Sequence, residues 1–215
     1  MNDYFERVND VCTMVDEKEI SQLLDILEKA YYRKQHIFIC GNGGSGATAS
    51  HLAEDLAKGT LNGNIHRDGL RFKAISLTDN TPFILALAND VGYDSIFEQQ
   101  LRTYAEPNDV VIAISGSGNS PNIIKAVDYA NRRCLVTVGM TGFDGGKLRE
   151  MALHTIHVPV DDMGMTEAVH GIIVHYIVDQ LREKLASGYR YVERVSTTLE
   201  QEMQESRLVN TVVFK

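Results

Sequence analysis

The spacing of apolar positions divides the chain into an amphipathic helical lead and a long alternation of strands and helices. Tyr4, Phe5, Val8, Val11, Cys12 and Val15 recur at three- and four-residue intervals, which predicts a helix over residues 3–15. Ile20, Leu23, Leu24, Leu27 and Tyr31 predict a second helix from about Glu17 to Arg33. Such a hairpin has two outlets for its apolar face: the body of its own domain, or another copy of the chain.

From His36 the pattern changes. Ile37–Cys40 is a short apolar run that reads as buried strand, followed by a sharp turn over Gly41–Gly46 and a helix over Ala47–Lys58. Leu61–Leu70 is polar and glycine-bearing, which predicts a loop, and Phe72–Leu77 predicts a strand. Thr78–Pro82 supplies turn and capping chemistry for an apolar helix around Phe83–Ala88, and Ile96–Tyr104 predicts another. Asp109–Ser115 (DVVIAIS) is the clearest buried strand, being almost continuously apolar and β-branched. Pro121 suits the first position of a helix over Asn122–Asn131. A strand at Leu135–Met140, a short helix at Gly145–Met151, a strand at His154–Val160 and a long helix from about Met165 to Leu185 complete the series. Residues 189–215 carry both helix-like and strand-like stretches. The alternation predicts an α/β fold with a mainly parallel sheet. It fits one domain over 1–215: a hairpin at 1–35, an α/β core at 36–187 and an extension at 188–215.

Composition narrows the function classes. A net charge of −8 argues against a nucleic-acid or anionic membrane surface, and no run approaches the roughly 18 apolar residues that span a bilayer. The 44% hydrophobic and 23% charged content suits a soluble globular protein. The three cysteines (Cys12, Cys40, Cys134) form no metal-type cluster. Cys40 and Cys134 lie in or beside strand-like runs and read as buried free thiols, so a reducing cytoplasm is the expected location.

Two glycine-rich loops carry the chemistry. Each follows a strand and precedes a helix, so both should open at the carboxyl edge of the sheet, where ligands of such folds bind. Gly41–Gly46 (GNGGSG) lets backbone N–H groups approach an anion at a helix N-terminus. In Ser115–Ser120 (SGSGNS) three hydroxyls alternate with glycines before a helix, the chemistry of a phosphate cradle; a plain loop capped by Ser120 is the bland alternative. Neither loop is a Walker A motif or a convincing dinucleotide fingerprint, so no nucleotide cofactor is expected. His51 and Asp55, at i and i+4, share a helix face and offer an acid/base or metal pair. Glu167, His170 and His175 are the remaining members of that constellation, and two imidazoles with two carboxylates could complete a zinc-type site. On one continuous helix Glu167 and His175 are about 12 Å apart along the axis. Either the helix starts after Glu167, or the two residues serve sites built from different subunits. His36, His66, His154 and His157 fit no constellation, Asp161-Asp162 reads as a solvated turn, and Tyr189 and Tyr191 could meet a partner or their own domain.

Taken together, GNGGS, ASHLAEDL, AISGSGNSPNIIKAV, TGFDGGKL and EAVHGIIVHYIVDQL resemble the phosphoheptose isomerase family of the sugar isomerase (SIS) superfamily. The resemblance implies a three-layer α/β fold, a homotetramer with sites at subunit interfaces, and conversion of sedoheptulose 7-phosphate to glycero-manno-heptose 7-phosphate, with one zinc per subunit. It implies substrate binding by Asn42, Gly43, Gly44, Ser45, Ser115, Gly116, Ser117, Asn119 and Ser120. The implied metal ligands are His51, Asp55, Glu167 and His175. Asp55 is the implied base, His175 the acid, and Glu167 the reserve base. Asp55 and Glu167 stand where the family usually has Glu and Gln. Lys58 and Gly59 occupy the region of a usual Arg, and Gly164 that of a usual Asp. A non-catalytic sugar-phosphate-binding protein acting through a protein partner is the alternative, as is an isomerase of another ketose phosphate.

Overall fold

The computed structural model describes residues 1–61 and 69–186. Two amphipathic helices, α1 (Asn2–Thr13) and α2 (Glu17–Arg33), lead into β1 (His36–Gly41) and α3 (Gly43–Ala57). Next come β2 (Lys73–Ser76), α4 (Thr81–Asp90), α5 (Ile96–Tyr104), β3 (Val110–Ser115) and α6 (Pro121–Arg132). The chain continues through β4 (Val136–Thr141), α7 (Gly146–Met151) and β5 (His154–His157), and helix α8 runs over 163–186. The expectations for 188–215, and for His66, Tyr189 and Tyr191, lie outside the described residues.

The five strands among the described residues are all parallel, in the order β2-β1-β3-β4-β5. Alternation along each strand feeds two cores, as the two-residue period of a strand requires. Ile37, Ile39, Val110, Ile112, Ile114, Val138 and Ile156 pack with α1, α2, α3 and α8 on one face. Phe38, Cys40, Val111 and Ala113 pack with α5, α6 and α7 on the other. The result is the expected three-layer arrangement.

The hairpin uses its first outlet. Val11, Val15, Leu23, Leu24, Leu27, Ala30 and Tyr31 are buried in the same core as α3 and α8. Glu19 of α2 also reaches the free edge of β5, accepting 2.8 Å hydrogen bonds from Thr155 Oγ1 and the His157 backbone N–H. An edge strand with unpaired backbone groups is a template for aggregation, and Glu19 occupies part of it.

Four expectations change. Helix α3 starts at Gly43, not Ala47, so most of the supposed loop is its first turn. Burial of Ser45, Gly46 and Ala49 overrides the poor helix propensity of glycine there. Helix α8 already includes Glu167. That removes the option of a later start. Asp162 is not a loose turn residue: it accepts from Met165 N at 3.0 Å, capping α8, and pairs with Arg7 at 3.1 Å. The capping N–H, then Arg7, hold its carboxyl below the ordinary carboxylate range. Cys134 is exposed at a left-handed turn after α6, whereas Cys40 is fully buried, which pushes its thiol up to about 12.

Candidate active site

The register Cys40↔Ala113 and Gly41↔Ile114 brings β1 and β3 to the same carboxyl edge side by side. Gly41–Gly46 and Ser115–Ser120 therefore leave the sheet as neighbours. In the second loop Ser115 is buried, Ser117 and Asn119 are exposed and Ser120 is half-buried. Ser120 occupies the N-cap of α6, yet its hydroxyl makes no capping bond and lies 3.4 Å from that of Ser115. The serine is not used up as a cap. Asn119 is a structural brace: its amide donates to Ser117 O and accepts from Lys147 N, tying the loop to the start of α7. Gly118 has φ +64°, and a Cβ there would lie 1.9 Å from Gly145 O, so no larger residue fits. Gly116 is buried, and a Cβ there would meet Met163 of α8. The hydroxyl loop is thus packed closely against α7 and α8.

Helix α8 packs alongside α3 and runs in the same direction. Glu167 lies over Gly44, where an added Cβ would be 2.4–2.6 Å from its carboxyl atoms. Further along, His175 faces Asp55, and Val178 lies against Gly59. The parallel course sends Glu167 to the glycine end of α3 and His175 to its later turns. The 12 Å of rise separates two neighbourhoods within one chain.

At the later turns three side chains converge. Asp55 Oδ2 is 3.3 Å from His51 Nε2 and 3.8 Å from His175 Nδ1, and the two rings meet edge-on with centroids 4.8 Å apart. One ligand atom from each residue lies within 4.8 Å of the others. Glu167 is not part of this trio. Two nitrogens and an oxygen are zinc-type donors; the 3.3 Å pair is close to the roughly 3.4 Å between tetrahedral ligands on bonds of about 2.1 Å, and the 3.8 Å pair is wider. The histidines are exposed and Asp55 is partly buried, so the trio faces open space.

His170 does not join them. It is buried, its Nε2 lies 3.3 Å from Thr141 O, and its Nδ1 has no hydrogen-bond partner among the described residues. Desolvation pushes its pKa down to about 4, and His157, whose Nδ1 is 3.0 Å from Thr141 Oγ1, is pushed down chiefly by burial too. Asn42 and Asn122 hold a paired-amide contact between the loops that single-sequence reading missed. Its only trace in the sequence is an asparagine on the apolar face of α6.

Five parallel strands among the described residues, two hydroxyl- and glycine-bearing loops at their carboxyl edge and helices on both faces define a three-layer α/β domain of the class that binds ligands at that edge. The comparisons give the family. The SIS domain family model matches residues 3–142. The phosphoheptose isomerase of Fusobacterium nucleatum is 35% identical over 178 residues, 83% of this chain and 88% of that protein. Two solved phosphoheptose isomerases are also similar. That from Francisella tularensis has TM-score 0.77 and 28% identity over 85% of this chain and 96% of that one. That from Neisseria gonorrhoeae has TM-score 0.74 and 29% identity over 82% and 92%. The chain belongs to the SIS-domain family, within its phosphoheptose isomerase branch.

Burial of His170 makes stability depend on pH. Between the unfolded value of 6.5 and the folded value of about 4, the unfolded chain binds a proton that the native state refuses. Stability is therefore full above pH 6.5 and falls as pH drops toward 4, by up to about 3 kcal/mol from this residue. Urea unfolding across that range should show the fall, and His170→Gln should reduce it, leaving the smaller share that comes from His157.

Proposed function

We propose that the protein isomerises a ketose phosphate, sedoheptulose 7-phosphate, to D-glycero-D-manno-heptose 7-phosphate. The observation that carries this reading is the meeting of His51, Asp55 and His175 on a chain of the phosphoheptose isomerase branch. The phosphate is held by Ser115, Ser117 and Ser120 with the Gly116 and Gly118 backbone, at the N-terminus of α6. Asn42, Gly43, Gly44 and Ser45 line the sugar. About 16 Å of helix rise separates Gly44 from Asp55 on the same α3, so the trio that meets the reacting carbons would come from a neighbouring copy.

The reaction moves one proton from C1 to C2 and one from O1 to O2. Asp55 removes the proton at C1 of the open-chain ketose and returns one to C2, passing through an enediolate. His175 protonates O2 and takes the proton from O1, so the product is an isomer with nothing gained or lost. Glu167, across the glycine turn, is the reserve base. His51, Asp55 and His175 would hold one zinc per subunit, and Asp55 would have to release it to act as base. The chain's own Glu167 lies over Gly44, so the proposed fourth ligand is Glu167 of a neighbouring copy. A bound zinc would polarise the substrate carbonyl and stabilise the developing oxyanion.

We also propose a homotetramer in the cytoplasm. Helix α4 is apolar yet has no buried residue, with Leu85 64% exposed, and Val91 just beyond it is 52% exposed. The open trio likewise suits closure by a neighbouring copy. No helix among the described residues is long and apolar enough to cross a membrane.

Two outcomes test this reading. Asp55→Asn keeps size and hydrogen bonding but removes basicity; with a ketose phosphate panel followed by NMR, it should lower turnover by at least about 10²-fold. His51→Ala should instead lower the zinc content measured by elemental analysis. Wild-type inactivity toward every sugar would move the assignment to a sugar-phosphate-binding protein, and an unaffected Asp55→Asn would shift the base to Glu167. Sedimentation should give a tetramer at micromolar concentration, and a fully active monomer would reject the interfacial site.

A further inference from the structure

Asn122 occupies the second position of α6, directly after the hydroxyl loop, and is 1% exposed. A fully buried amide at that place needs a reason, because unpaired polar groups are costly there. Its partners form a chain of fixed polarity. The Ile123 backbone N–H donates to Asn122 Oδ1 at 3.0 Å, and a backbone N–H can only donate. The oxygen of Asn122 is thereby identified. That oxygen also accepts from Asn42 Nδ2 at 2.9 Å, which fixes the orientation of Asn42 in turn. Asn42 Oδ1 then accepts from Asn122 Nδ2 at 2.8 Å and from the Tyr93 hydroxyl at 2.9 Å.

The consequence falls on Asn42. It sits at the N-cap of α3 but its side chain makes no capping bond, although Asn is a favoured capping residue. Its oxygen carries two donors and one N–H is committed to Asn122. The second N–H has no partner among the described residues, in a half-buried side chain at the mouth of the glycine turn. Asn42 is held as a hydrogen-bond donor, unable to flip and present its oxygen.

We propose that Asn122, assisted by Tyr93, is a positioning residue that locks Asn42 as a donor to a sugar oxygen and fixes the spacing of the two loops. The inference rests on the reading of these loops as a sugar-phosphate site, and it adds a reason why that site prefers an acceptor at this point of the ligand. Asn122 touches no substrate itself. It acts through Asn42.

The test is a double-mutant cycle read by calorimetric binding of sedoheptulose 7-phosphate and, separately, of inorganic phosphate. Asn122→Ala and Asn42→Ala should each weaken sugar phosphate binding by about five- to tenfold, the size of one lost neutral hydrogen bond. The double variant should be no weaker than Asn42→Ala alone. Inorganic phosphate, which engages only the hydroxyl loop, should bind all three variants as it binds wild type. Tyr93→Phe removes one exposed hydroxyl without threatening the fold; it should give a smaller loss that also vanishes in the Asn42→Ala background. Additive losses, or a matching loss of phosphate affinity, would overturn the clamp and leave the site reading intact. Wild-type protein that binds neither ligand would overturn the site reading and the clamp with it.

Discussion

The candidate site depends first on the parallel pairing of β1 and β3. Their register ends both strands at one edge, so the glycine turn and the hydroxyl loop start within a residue of each other. A slip of one position would turn each strand's side chains to the opposite core. Buried alternation on both faces makes that slip very costly, since Phe38 and Cys40 would exchange cores with Ile37 and Ile39. Hydrophobic burial thus sets the separation of two polar loops. The Asn42–Asn122 amide pair fastens that separation at the surface.

A second constraint is the parallel packing of α8 on α3. It needs close approach at Gly44, where Glu167 takes the space of a side chain, and it then aligns His175 with Asp55 two turns later. Asp162 starts α8 at a defined residue by capping it, and Arg7 ties that cap to the hairpin. The hairpin is therefore part of the site's support, because α2 and α8 share one core and α1 holds the cap. Chemistry-bearing residues on α3 and α8 are positioned by packing that involves neither loop.

Much of this was legible in the sequence. The bounds expected for α2 and α5 match the structure, because strong amphipathic spacing lies between clear breaks. The strands at Ile37–Cys40 and Asp109–Ser115 were plain from continuous apolar runs, and their Gly/Ser sequels pointed to the carboxyl edge. The start of α3 was not legible, since local propensity disfavours helix at Gly43-Gly44 and only tertiary burial forms it there. The grouping of His51 with Asp55 followed from i, i+4 spacing. Membership of His175 rather than His170 came only from the family resemblance, because spacing alone does not say which side of α8 meets the core. The amide clamp was invisible, because it joins positions 80 residues apart that carry ordinary loop and helix residues.

The proposed reaction has Asp55 move a carbon-bound proton through an enediolate. Its most direct test is turnover of sedoheptulose 7-phosphate in D2O, with NMR of the aldose product. Asp55 is partly buried, so the proton it carries exchanges in part with solvent between removal and return. Deuterium should appear at C2 of the product, and Asp55→Asn should lose turnover. Product with only protium at C2, formed as fast by Asp55→Asn as by wild type, would contradict this mechanism.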